Sequence, residues 1–415
     1  MCEQQKPIIP NPGSERDPKN FVGRKDTTKQ AEDLLFAGQN ILLSDPRRMG
    51  KTFWMRTFTR KQEAEGRFRV VFIDYQGVDS TEEFLTKTAN ALAACRSLPQ
   101  KFFASLTALF DNMEVGVSKG PLSLKAAVRA SKKTPITIME DLLIQLDHDL
   151  AADNDDHAAV PLIIAMDEVA DAVLSISENC GTHDAHNLLQ RLRHLRNTTQ
   201  NIHWIVAGSI GFHHIFSIIG TSSDTVNDLN TLKFGPLAYG DAKQLANRLA
   251  LGIERPISPE TVAHIVEITD AFPSVIQKLF DMMRYDAGRC SAAHALIEIP
   301  EATECFNDFI NDRDQSRDVT HYVTRIKLYY AQNVDMAFRI LDHIARGDEW
   351  TAFHDLESAI KTAFGDSFDR EQFIATYNSL RDDHYLIART SGNQTEVSWR
   401  YPLIKTIYQR RRELF

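Results

Sequence analysis

The chain has no long apolar run. Nowhere do its 415 residues approach the roughly 18 uninterrupted apolar positions that a membrane-crossing helix needs. Its first twenty residues, MCEQQKPIIPNPGSERDPKN, carry charges and four prolines where a secretory leader carries an apolar core. Cysteine is scarce: there are five, at positions 2, 95, 180, 290 and 305, with no Cys-x-x-Cys pair and no histidine at zinc-finger spacing. Neither a disulfide framework nor a structural zinc site is indicated. Basic excess is lacking too, since 47 Lys and Arg face 56 Asp and Glu for a net charge of −9. That excludes a surface that as a whole traps nucleic acid or anionic membrane. The expectation is a cytoplasmic protein with free thiols and no membrane partner.

What is present is enough apolar content, 43%, to bury two or three cores. Residues 1–20 are polar and proline-rich and are expected to be extended and poorly packed. Helical spacing over 25–36 puts Ala31, Leu34, Leu35 and Phe36 on one face, and Gly38 follows to end it. An apolar run at 40–44, a turn of proline, arginine and glycine, and TFWMRTFTRKQEA read as strand, turn and helix in that order. Continuous apolar runs at 69–75 (RVVFIDY), 160–166 (VPLIIAM) and 203–207 (HWIVA) have the pattern of strands buried on both faces of a parallel sheet. Separated by helical segments, they predict right-handed crossovers and a three-layer α/β/α arrangement. Between the second and third runs, 80–95 and 137–150 read as helices, 115–124 as extended, and 153–157 (DNDDH) as a solvated acidic loop.

After Pro236 the strand pattern stops. Segments 241–251, 258–269 and 273–285 read as successive helices, the first two capped by Asp241 and Ser258. One or two connecting helices are expected over 301–332. From 334 the pattern is helix (334–346), helix (351–364), helix (369–382), strand (386–389), a turn at Ser391-Gly392-Asn393, strand (396–401) and a final helix. Three helices and a hairpin are the parts of a winged helix.

Residues 45–52 read DPRRMGKT, which is the phosphate-loop pattern G-x-x-x-x-G-K-[ST] at every fixed position but the first, where Asp45 replaces glycine. Aspartate is among the few other residues that tolerate the positive φ a glycine offers. Its carboxylate, however, must point away from any bound anion. The nucleotide-binding set is Pro46, Arg47, Arg48, Met49, Gly50, Lys51, Thr52 and Phe53. Backbone N–H groups of 47–51 and the N-terminus of the following helix cradle a β-phosphate, and the helix dipole favours the anion. Lys51 reaches the β and γ oxygens, and Thr52 ligates Mg²⁺.

A second motif agrees with the first. LIIAMDEV is an apolar strand ending on Asp167-Glu168, the Walker B arrangement, with Asp167 beside the phosphate loop to hold Mg²⁺ through water and Glu168 to polarise the attacking water. The next strand ends in AGSIG, where Ser209 either senses the γ-phosphate or is an ordinary hydroxyl after a strand. Arg191, Arg193 and Arg196 lie on the helix between. One of them reaches a γ-phosphate, in cis or from a neighbouring subunit, or all are solvated surface. The catalytic candidates are therefore Lys51, Glu168, Ser209, Arg193 and Arg196, and the metal ligands Thr52 and Asp167.

FVGR at 21–24, LLSDPRRMGKT at 42–52, the Asp-Glu pair, GSIG and DAFPSVIQKL at 270–279 together resemble the archaeal-type ATPases in the STAND group of P-loop NTPases, relatives of AAA+ proteins. Their phosphate loop often reads G-P-R-R-x-G-K-T, and Arg47-Arg48 matches that variant. The resemblance spans most of 21–290 and, more loosely, the C-terminal part. It implies that Val22, Gly23 and Arg24 flank an adenine. It also implies that Pro273 contacts the base, in a motif whose glycine is lost to Ala271; the other reading of Pro273 is a helix-opening proline. The cofactors implied are ATP and Mg²⁺.

The resulting expectation is a P-loop NTPase with a three-layer α/β/α parallel sheet, a helical lid and a C-terminal winged helix. Its boundaries are 1–20 for the extended segment, 21–235 for the NTPase domain, 236–300 for the lid, 301–333 for connecting helices and 334–415 for the winged helix. Such proteins are nucleotide-controlled switches, so a slow ATPase coupled to an unknown protein partner or effector is expected. Assembly into a homo-oligomer on ATP binding, in a signalling or defence role, goes with it. Asp45 leaves open binding without turnover. The alternative is a DNA-binding AAA+-like ATPase of the replication or transposition kind. Against it, 334–415 holds 11 Lys and Arg against 13 Asp and Glu, and the helix in the recognition position ends on Asp382-Asp383. Lys405, Arg410, Arg411 and Arg412 form a terminal basic stripe that either meets phosphates or is solvated.

Overall fold

The computed structural model of the protein describes residues 6–13, 15–111, 133–153, 160–208, 211–220, 223–285, 295–312, 317–347 and 349–412. The chain divides into two compact units. One comprises Lys25–Asp45 and Lys51–Phe234, the other Met1–Arg24, Pro46–Gly50 and Gly235–Phe415.

The first unit runs α1 (Lys25–Phe36), β1 (Asn40–Ser44), α2 (Lys51–Ala64), β2 (Arg69–Asp74), α3 (Thr81–Ala94), α4 (Gln100–Asp111), α5 (Pro135–Ala152), β3 (Leu162–Asp167), α6 (Val169–Cys180), α7 (Thr182–Thr198), β4 (Ile202–Gly208), α8 (Phe212–Ile219) and β5 (Leu229–Thr231). The strands form one sheet in the order β2-β3-β4-β1-β5, and every pair is parallel. Every residue of β3 and β4 is buried. Because successive side chains point to opposite faces, both faces are covered at these two strands, whereas β2, expected to be buried on both faces, stands at the sheet edge and is only partly buried. Helix starts are set locally. Ser80 accepts the Glu83 N–H at 3.3 Å to open α3, and Thr134 accepts the Thr137 N–H at 3.3 Å with Pro135 in the first turn of α5.

Several elements of this unit escaped the sequence pattern, among them β5, α4, α6 and α8. β5 is three residues long with two of them exposed, too short to show a period. α4 follows α3 so closely that no strand or long turn separates them. The extended segment expected at 115–124 lies outside the described residues, as does most of the acidic loop at 153–157. Asp153 itself accepts from the Arg69 guanidinium at 2.6 Å.

The second unit contains α9 (Tyr239–Gly252), α10 (Pro259–Ile268), α11 (Pro273–Tyr285), α12 (Ile299–Asn311), α13 (Arg317–Tyr329), α14 (Val334–Arg346), β6 (Thr351–Ala352), α15 (Phe353–Phe364), α16 (Arg370–Asp382), β7 (Leu386–Ser391), β8 (Gln394–Trp399) and α17 (Pro402–Arg411). Strands β6, β8 and β7 form a small antiparallel sheet in that order. Ser258 caps α10 as expected, accepting the Thr261 N–H at 3.1 Å. Asp241 does not cap α9, which begins at Tyr239 with Ala238 in the cap position and leaves Asp241 in its first turn. The helix expected from 351 starts at Phe353, because Thr351 and Ala352 pair with Val397 and Glu396.

Two further expectations are corrected. The leading segment is extended, yet it is packed: Ile8 is 1% exposed and donates its N–H to the Arg248 carbonyl at 2.9 Å. Arg248 in return donates to the carbonyls of Lys6 and Lys19 at 2.8 and 2.9 Å. Gly252 permits this approach, since a Cβ there would stand 1.8 Å from the Ile8 carbonyl oxygen. The terminal basic stripe is largely consumed inside the unit. Arg411 is 3% exposed and donates to the carbonyls of Ile310 and Asp312, and Arg412 pairs with Asp342 at 2.9 Å. Among the described residues no helix is long and apolar enough to cross a membrane.

Candidate phosphate-binding site

β1 is the strand at which the order of the sheet reverses, with β4 on one side and β5 on the other. The carboxyl end of a strand at such a switch point is where open α/β sheets hold ligands. Asp45 follows immediately. Its carboxylate is buried and accepts the Phe234 N–H at 3.0 Å. It is thereby turned into the fold and tied to the segment after β5. Asp45 does not use the positive φ that a glycine offers; the residues of the loop that do are Arg48 and Gly50.

Lys51 and Thr52 open α2. The buried Lys51 ammonium donates to the Asp45 carbonyl, so it is held along the loop rather than extended into solvent. Thr52 hydrogen-bonds the Asp167 carboxylate, which also accepts the Glu168 N–H at 3.1 Å. β4 lies between β1 and β3, so one strand separates Asp167 from the loop's own strand. It is α2 that brings Thr52 to it. Asp167 is 4% exposed, and burial above all, with the negative Asp74 nearby, pushes its carboxyl above the usual range. Thr52, Lys51 and the Glu168 N–H pull the other way.

Asp74 is the site residue that the sequence reading missed. It ends β2 as the register partner of Asp167. The signal was available: RVVFIDY and LIIAMDEV are both apolar runs that end on an acid, and in a parallel pair such acids meet at the same edge. Glu168 stands at φ 55 between β3 and α6. A left-handed backbone at a non-glycine residue costs about 1–3 kcal/mol and is concentrated at functional sites.

A hydroxyl and two carboxylates are hard oxygen donors of the kind that suit Mg²⁺. A buried carboxyl whose proton is held too tightly, beside a second acid, is an environment short of positive charge. The residues present therefore fit a divalent cation.

In the second unit the segment Pro46–Gly50 has positive φ at Arg48 (69°) and Gly50 (86°) but not at Met49. Alternation of left- and right-handed residues turns successive N–H groups to one side, the nest that binds anions. Arg24 braces it. Its guanidinium donates to the carbonyls of Met49 at 3.0 Å, Gly235 at 2.7 Å and Pro236 at 3.1 Å, and its own N–H reaches Asp241 at 3.3 Å. Gly23, at φ 77°, makes room for that carboxylate, since a Cβ there would be 2.3 Å from Asp241 Oδ2. Asp241 thus serves the 21–24 segment. Arg48 lies over Gly13 of the leading segment, with Nη1 only 2.5 Å from where a Cβ would be.

The remaining candidates fare differently. Ser209 lies outside the described residues. Arg191 pairs with Glu140 at 2.8 Å, and Arg196 is bound to Asp228 at 2.5 Å and to the Thr225 carbonyl at 2.6 Å. Arg193 is partly exposed on α7. Pro273 is the first residue of α11, after Asp270 and Ala271 at φ 51° and 53°, and the Ala271 carbonyl accepts the Leu237 N–H at 3.1 Å. Val22 is buried and Phe53 partly exposed.

The sequence matches no protein-family model and no curated protein. Solved structures do match. The Walker-type ATPase paby2304 of Pyrococcus abyssi superposes with a TM-score of 0.60 at 15% identity, over 95% of this chain and 97% of that one. The Aeropyrum pernix ORC2 protein, in its ADPNP-ADP complexes, superposes at 0.51 and 13% identity, over 98% of this chain and 96% of that one. The chain has the α/β fold of a P-loop NTPase. At these identities the likeness is one of fold, and what the site does rests on its own residues.

Proposed function

We propose that the protein binds ATP with Mg²⁺ and hydrolyses it slowly, as a switch that couples nucleotide state to a partner protein. The observation that carries this reading is the hydrogen bond from Thr52 to the buried Asp167, with Lys51 acting on the same carboxylate. Two motifs more than a hundred residues apart converge on one cluster of donors. In this reading Thr52 and Asp167 hold the cation, which when bound supplies Lewis-acid stabilisation of charge on the phosphoryl oxygens. Lys51 exchanges the Asp45 carbonyl for the β and γ oxygens. Glu168 orients the attacking water and takes its proton. Val22, Gly23, Arg24 and Pro273 border the adenine, and Ser209 senses the γ-phosphate.

Slow turnover follows from the arginines. Arg191 and Arg196 are held by carboxylates, so Arg193 or an arginine from a second copy supplies any transition-state charge. The NTPase domain is assigned to 21–235, the lid to 236–300 with helices α9 to α11, the connecting helices to 301–333 and a winged helix to 334–415. A STAND-like signalling role in the cytoplasm, with ATP-dependent self-association, is the setting proposed. The DNA-binding alternative draws on the same winged helix. It is disfavoured by the engagement of Arg411 and Arg412 within the unit.

The test is nucleotide binding and turnover by the full chain. Lys51→Ala is expected to abolish binding of ATP and ADP; undiminished binding removes the proposal. Glu168→Gln is expected to bind ATP with near-native affinity and to lose about 10²–10⁴-fold in turnover, the usual contribution of a positioned base. Normal turnover in that variant assigns the base to another residue.

A further inference from the structure

α13 carries Tyr322, whose side chain is almost wholly buried and whose hydroxyl donates to the Arg47 carbonyl at 2.9 Å. A trans peptide sets its C=O and N–H in opposite directions. Holding the Arg47 carbonyl therefore also aims the Arg48 N–H to the other side. Arg24 does the same one step along: its bond to the Met49 carbonyl fixes the peptide whose N–H belongs to Gly50. Two donors thus grip the back of the loop at alternate peptides, in the stretch where φ alternates in sign.

Tyr322 is not free to drift. Its own carbonyl accepts the Tyr385 hydroxyl from the residue preceding β7, and just past the end of α13 the Tyr330 hydroxyl donates to Asp383 at 2.8 Å. Asp383 also faces Arg325 of the same helix. α13 is consequently fastened at two levels to the corner between α16 and β7. No motif in the sequence pointed to it.

We propose that Tyr322 is a positioning residue for the phosphate loop, holding the Arg48 N–H, with Arg24 holding that of Gly50, in the orientation that receives a β-phosphate. This rests on the nucleotide-binding reading above. Tyr322 touches the loop from behind and no part of a nucleotide, so its effect falls on affinity for the phosphate chain and not on the base. Through Tyr385 the same bond makes the C-terminal hairpin responsive to what the loop holds.

The experiment measures binding of ADP, a non-hydrolysable ATP analogue and AMP to the full chain, by calorimetry or competition, for wild type, Lys51→Ala, Tyr322→Phe and Tyr385→Phe. Tyr322→Phe is expected to weaken ADP and the ATP analogue about 3–10-fold, the range of one net hydrogen bond, and to leave AMP within twofold. Amide exchange over 46–50 is expected to quicken in parallel. Tyr385→Phe, which frees the Tyr322 backbone, is expected to show the same selectivity at about 2–3-fold, and it serves as the test if Tyr322→Phe does not fold. If Lys51→Ala loses ADP while both tyrosine variants bind as wild type, or if AMP and ADP weaken equally, the positioning role is overturned and the nucleotide reading stands. If wild type binds neither ADP nor the ATP analogue, the nucleotide reading falls and this inference with it.

Discussion

At Asp167 the folded protein and the unfolded chain differ in how tightly one carboxyl holds its proton. Its folded-state proton affinity is raised, chiefly by burial and also by Asp74. The native state therefore holds that proton more tightly than the unfolded chain does. As pH rises from the ordinary aspartate range through the raised value, this residue's contribution turns increasingly unfavourable, and above that value the loss is complete. Urea unfolding of nucleotide-free protein across this window should show stability falling with pH in wild type and a smaller fall in Asp167→Asn. That variant should be the more stable one at neutral pH and should lose Mg²⁺-dependent nucleotide binding. Equal slopes for the two proteins would mean that Asp167 carries no such burden. Asp45 teaches the complementary point. A carboxylate where the loop pattern has glycine is taken inward by the Phe234 N–H.

At the scale of elements, the leading segment is the clearest departure from its composition. Proline and charge predict a loose lead-in, but Ile8 is a buried anchor and both Lys6 and Lys19 lend carbonyls to Arg248. Ile8→Ala should cost about 2–4 kcal/mol in chemical denaturation, the usual loss for truncating a buried aliphatic side chain. A change near zero would return the segment to the loose reading. The helices were legible where local chemistry sets their ends: 25–36, 273–285 and 334–346 have the expected bounds. They were misjudged where a tertiary partner intervenes, as at Asp241, drawn to Arg24, and at Thr351, drawn into the small sheet.

For the whole molecule the decisive quantity is where charge is left exposed. The chain carries a net charge of −9, and of the three terminal arginines Arg411 is buried on backbone carbonyls and Arg412 is paired. Duplex DNA binding depends on cations that are available to displace counterions. At about 50 mM salt the protein should bind duplex DNA weakly, and DNA should not stimulate its turnover. Tight, steeply salt-dependent binding with stimulated hydrolysis would restore the DNA-binding alternative.

The sequence by itself determined four of the five parallel strands and the two motifs. Each is a local pattern: a buried strand must be apolar throughout, and an anion loop must supply glycine, lysine and a hydroxyl at set spacing. Only the tertiary structure decided which partners these residues meet. Asp74 joins Asp167 by strand register, Arg24 and Tyr322 grip the loop from segments on either side of it in the chain, and Arg191 and Arg196 of α7 are claimed by Glu140 and Asp228. Those pairings join residues far apart in sequence, and a one-dimensional pattern holds no term for the distance between them.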